Sequence, residues 1–179
     1  VEPGAVAAFV DAEKGVDDEA AAMAGARDIV AEIVSENADV RGLVRQAYGK
    51  SGMVVSSAVN PDAAEVTKFE QYYEFSEPVS SIPSHRFLAI RRGQSEGVLR
   101  VKLECDSAPL TERILDIYGY KASSVFGEAL KSAVEDGYSR LIAPSVEVDV
   151  MVELKMKADR AAVEVFAENL RNLLLAAPL

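Results

Sequence analysis

Histidine and cysteine each occur once in this 179-residue chain, tryptophan is absent, and 19 lysines and arginines face 29 acids. A single cysteine, Cys105, excludes an internal disulfide and any multi-cysteine metal site, and it fits a reducing compartment. A single histidine, His85, leaves no second imidazole to share a metal. No run of 18 apolar residues and no basic-then-apolar start is present, so nothing reads as a membrane span or a secretion signal. The chain reads as cytoplasmic, without a membrane partner and without a cofactor. A net charge of −10 repels nucleic acid overall, so such a partner has to be met by a local patch. There is no internal repeat or low-complexity tract. The chain starts at Val1 and stops just after an apolar stretch, which reads as a fragment of something longer.

A hydrophobic content of 49% suits one substantial core or two small ones. In residues 18–35, Met23, Ala26, Ile29, Val30, Ile33 and Val34 recur at helical spacing. Asn37 then caps a second helix carrying Val40, Leu43, Val44, Ala47 and Tyr48, and the pair reads as a helical hairpin. Residues 53–59 and 98–104 read as strands that pair into a two-stranded antiparallel ribbon, the first closed by the turn residues Asn60, Pro61 and Asp62. Ser107, Ala108 and Pro109 open a further helix that Gly119 ends. Ser123 or Ser124 begins the next, and Pro144 with Ser145 restarts the chain. Residues 146–153 alternate valine with polar residues and methionine, a strand-like pattern. The helical neighbours on both sides favour helix there, because an isolated strand needs a partner. From Ala158 onward, Ala162, Val165, Phe166, Asn169, Leu170, Leu173 and Leu174 form one stripe. The class expected is mainly α, with segments 1–59, 60–130 and 131–179.

Several apparent motifs fail on their chemistry. The acidic group Asp11, Glu13, Asp17, Asp18 and Glu19 lacks the alternating ligands, central glycine and terminal glutamate of a calcium loop. Gly49, Lys50, Ser51 and Gly52 lack the preceding glycine of a phosphate loop and lead into a strand rather than a helix. Ser84 and His85 are helix neighbours that point in different directions, so no Ser-His-acid triad follows. No βαβ pattern carries clustered carboxylates for a metal-dependent nuclease, and no enzyme is expected.

The window 72–102 is different. Pro83 and Ser84 start a helix there, with the serine hydroxyl as a cap and Gly93 or Gly97 as a stop. Arg86, Arg91, Arg92, Arg100 and Lys102 stand against only Glu96, and His85 and Arg86 lie in a first turn whose dipole disfavours cations. Something negative should compensate them. Either internal carboxylates do so, Glu74 or Glu77 being nearest in sequence, or the phosphates of a nucleic acid do. The candidate contact residues are His85, Arg86, Arg91, Arg92, Arg100 and Lys102. Phe69, Tyr72, Tyr73 and Phe75 beside them either stack on bases or pack a short helix into the core.

The runs Tyr73-Glu74-Phe75-Ser76-Glu77-Pro78, Ile82-Pro83-Ser84-His85-Arg86, Arg92-Gly93 and Glu96-Gly97-Val98-Leu99 resemble the Tex family of bacterial transcription accessory proteins. Asp11 to Val16 and Ala24 to Ile29 agree near the start, as do Phe166 to Arg171 and Leu173 to Leu175 near the end. The resemblance implies a role in transcription, with RNA or DNA as partner. It also implies a helix-turn-helix-like module at about 77–130, and a position ahead of an RNase-H-like domain, helix-hairpin-helix elements and an OB-fold RNA-binding domain. Two departures stand out. Residues 55–65 are less basic than in relatives, and residues 146–156 carry valine and methionine where relatives carry charge. A second reading is a helical scaffold that positions other domains and docks RNA polymerase or another protein without touching nucleic acid.

Overall fold

The computed structural model describes residues 6–60 and 67–176. Asn60 is described, but the turn expected to follow it at Pro61 and Asp62 lies outside those residues. The chain divides into two compact units, each made of two separate stretches: Val1–Arg45 with Asp106–Val146, and Gln46–Cys105 with Glu147–Leu179. Two of the limits between these units fall inside helices, and the third, between Cys105 and Asp106, falls in a loop.

The first unit is helical. Helix α1 (Glu19–Glu36) begins where the Asp18 carboxylate accepts from the Ala21 amide at 2.7 Å, and α2 (Ala38–Ser51) begins where Asn37 Oδ1 accepts from Asp39 and Val40. Each cap satisfies first-turn amides that have no partner within the helix. The Asn37 amide also donates to Tyr118 Oη at 3.0 Å, tying that cap to the end of α4 (Ala108–Ile117). Gly119, at φ +64°, closes α4 as expected: the Tyr120 amide bonds to Leu115 O and the Gly119 amide to Asp116 O, the paired bonds of a left-handed C-terminal cap.

Two expectations for this unit are corrected. Helix α5 (Gly127–Asp136) starts after, not at, Ser123 or Ser124. The restart at Pro144 is absent, for α5 runs through a π-helical segment, Gly137–Ile142, straight into α6 (Ala143–Leu174). A proline lacks an amide and crowds the carbonyl four residues earlier, here that of Arg140. The widened turn directly upstream relocates that carbonyl, so the helix passes the proline unbroken. Gly137 also sits so close to α1 that a Cβ would lie 2.9 Å from Ala31 O.

In the second unit the ribbon is present and larger than expected. Strands β1 (Met53–Ala58) and β3 (Leu99–Glu104) pair antiparallel, Met53 opposite Glu104 and Ala58 opposite Leu99. A third strand, β2 (Glu74–Pro78), pairs with the other edge of β1, so the sheet has three strands in the order β2-β1-β3 and not two. The aromatic stretch read as a short helix contributes only one 3₁₀ turn, Glu70–Tyr72, before entering β2.

Helix α3 (Ser84–Ser95) lies on one face of this sheet, burying Phe87, Ile90 and Gly93. Pro83, not Ser84, occupies its cap position, and the cap residue makes no side-chain hydrogen bond to the first turn. Of the two candidate stops, Gly97 at φ +73° ends the helix, with Val98 N bonded to Gly93 O. Gly93 is instead a contact point: a Cβ there would fall 2.6 Å from Leu99 Cδ1 and 3.1 Å from Phe69 Cδ1.

Residues 146–153 are helical, as read from their neighbours. The burial period decides it: Val146 and Val150 are buried while Val148 and Val152 are exposed, a four-residue rather than two-residue spacing. The stripe beyond Ala158 is helical too, yet Val165, Phe166, Leu173 and Leu174 are exposed, Phe166 by 67%.

Candidate nucleic-acid interface

The six candidate residues fall on two elements that meet edge to face. On α3, the buried positions Phe87, Ile90 and Gly93 fix which side faces the sheet, leaving His85 and Arg92 exposed and Arg86 and Arg91 partly covered. On β3, Leu99 and Leu103 are buried on the α3 side. The alternation of a strand therefore carries Arg100 and Lys102 to the opposite face. There the register sets Arg100 beside Ser57 and Lys102 beside Val55, with Glu74 and Ser76 as the next residues on β2. The basic window of the sequence is thus two groups separated by the thickness of a sheet.

Compensation is also uneven. Arg86 Nη1 lies 2.8 Å from both carboxylate oxygens of Glu77, which the pleat of β2 turns toward α3. Arg91 donates to the Gln94 side-chain oxygen. Lys102 is paired with Glu104 at 2.5 Å. The hydrogen bond that Lys102 donates to Glu104, then the Glu104 charge, hold the Lys102 ammonium above the usual lysine value, with desolvation acting the other way and Glu147 adding a smaller upward push. Glu147 has a second role that the sequence did not signal: its carboxylate accepts from the Leu103 amide at 2.8 Å. An outward amide of β3 is thereby capped, as edge strands require. Lys68 spans Glu96 at 2.9 Å and the Phe69 ring at 4.9 Å.

Among the described residues, His85, Arg92 and Arg100 have no carboxylate partner. His85 and Arg92 are seven residues apart on the exposed side of α3, roughly 10 Å along its axis. The neighbouring aromatics are not free to stack on bases. Phe69 and Tyr72 are 4% and 7% exposed, Tyr72 meets Phe75 edge-on with centroids 5.4 Å apart, and Tyr73 Oη bonds to Thr67 Oγ1. No group of three or more His, Cys, Asp or Glu residues among those described is placed to hold a metal ion. No described helix is long and apolar enough to cross a membrane.

Comparison with known proteins places this geometry in a family context. The family model described as "Tex central region-like" matches residues 2–166. Protein tex of Bordetella pertussis is 34% identical over 191 residues, covering 99% of this chain and 24% of that protein. Transcriptional accessory protein Tex of Neisseria gonorrhoeae is 34% identical over 171 residues, covering 92% of this chain and 22% of that protein. The human S1 RNA-binding domain-containing protein 1 is 26% identical over 167 residues, covering 87% of this chain and 17% of that protein. The chain thus spans about a quarter or less of the length of these relatives.

Proposed function

Because this chain belongs to the Tex family, we propose that it is a non-catalytic segment of a transcription accessory protein, and that it adds a sequence-independent phosphate contact through the exposed ridge of α3. The observation that carries this reading is the pair His85 and Arg92, exposed on one helix side and without an internal carboxylate partner among the described residues. Arg91 flanks them, and Arg100 offers a separate contact on the far face of the sheet. Arg86 and Lys102 contribute less, since Glu77 and Glu104 already hold them. The names of relatives, one a transcriptional accessory protein and one an S1 RNA-binding domain protein, support a nucleic-acid-associated role, with RNA or DNA as partner.

The helix-turn-helix-like expectation narrows to α4 and α5, because α3 leads directly into β3. The scaffold reading, with RNA polymerase or another protein docked, is favoured by a different observation: two of the six candidate residues, Arg86 and Lys102, are neutralised internally in a chain of net charge −10.

Fluorescence anisotropy with labelled single- and double-stranded RNA and DNA across a salt series separates the two. The proposal expects salt-sensitive binding, with the log-log slope falling by about 0.7 for single strands or 0.9 for duplex when Arg92→Ala removes one phosphate contact. Binding that is absent at low salt, or indifferent to Arg92→Ala together with His85→Gln in a folded protein, overturns it and leaves the scaffold.

A further inference from the structure

We draw no further inference here: the strongest candidate, the apolar groove of roughly 820 Å³ between α1 and α5, lined by Phe9, Ala22, Ile29, Phe126 and Leu130 with Arg27 and Lys121 at its margin, carries nothing because nothing in the structure shows what covers it.

Discussion

Substituting Gly93 by alanine tests whether α3 is positioned by close contact with the sheet. In an ordinary helix interior the change is favourable by about 1 kcal/mol, since alanine loses less backbone freedom than glycine. At Gly93 the added methyl carbon would stand 2.6 Å from Leu99 Cδ1, 2.9 Å from Leu99 Cγ and 3.1 Å from Phe69 Cδ1. Leu99 is 2% exposed and Phe69 4%, so neither side chain has open space to enter. Overpacking of that kind costs roughly 1–3 kcal/mol, which exceeds the propensity gain. Because the 2.6 Å contact forces a shift, the cost belongs in the upper part of that range, about 2–3 kcal/mol, and the net expectation is a loss of about 1–2 kcal/mol, a fall in Tm of several degrees for a domain of this size. Gly25, in α1, has nothing within 4 Å of its hypothetical Cβ, so Gly25→Ala should stabilise by roughly 0.5–1 kcal/mol. Urea titration followed by circular dichroism reads both, and Leu99→Val in the Gly93→Ala background should recover part of the loss. A Gly93→Ala protein as stable as wild type would show that α3 does not depend on this contact.

Gly137→Ala should cost more, about 2–3 kcal/mol by overpacking, because the obstacle is the Ala31 backbone at 2.9 Å rather than a side chain; thermal unfolding checks it. Glu77→Gln should destabilise by about 1 kcal/mol, between the values for exposed ion pairs and charge-assisted bonds, since the Arg86 and Glu77 side chains are 39% and 21% exposed. Its urea midpoint, compared with Arg86→Met and the double variant, reads the coupling. The Asp136 carboxyl is held below its ordinary value of 3.8 mainly by hydrogen bonds from Arg140, with desolvation opposing. Its stabilisation is complete above that ordinary value and fades as pH falls through the lower folded one. The stability gap between wild type and Arg140→Gln should therefore shrink in acid titration below about pH 4, and a gap that widens there would contradict it.

What was legible in the sequence was largely what local chemistry dictates. Asn37 and Gly119 marked helix ends because a side-chain amide and a left-handed glycine each solve a backbone problem at one position. Strands β1 and β3 showed through Val54, Leu99 and Leu103 in alternation. Strand β2 did not, since Glu74, Ser76 and Glu77 make five residues look polar, and only the long-range register with β1 reveals that Phe75 faces inward. Pro144 misled for a related reason: its local effect is real, and the π segment that absorbs it has no sequence signature. The same limit governs the candidate site. Composition located the cations of the 85–102 window and nearness in sequence offered Glu74 or Glu77 as a partner, but the choice of Glu77 for Arg86 and the opposite facing of Arg100 depend on which side of the sheet α3 covers.

Those facings bear on how nucleic acid would meet this unit. A chain of net charge −10 repels a polyanion at long range, yet at physiological ionic strength charges farther than about 8 Å are largely screened. Attraction at close range then rests on the side chains that no carboxylate holds, Arg92 with the His85 ring as a hydrogen-bonding neighbour on one face and Arg100 on the other. A single backbone tract lying along α3 can engage the first two without reaching the third. With so few contacts the attractive salt slope is shallow, no more than about 2 on a log-log scale, and lowering the salt lengthens the reach of the repulsion at the same time. Measured affinity should therefore rise only modestly as salt is reduced. A steep slope, of the size six phosphate contacts would give, would mean that Arg86 and Lys102 leave Glu77 and Glu104 on binding.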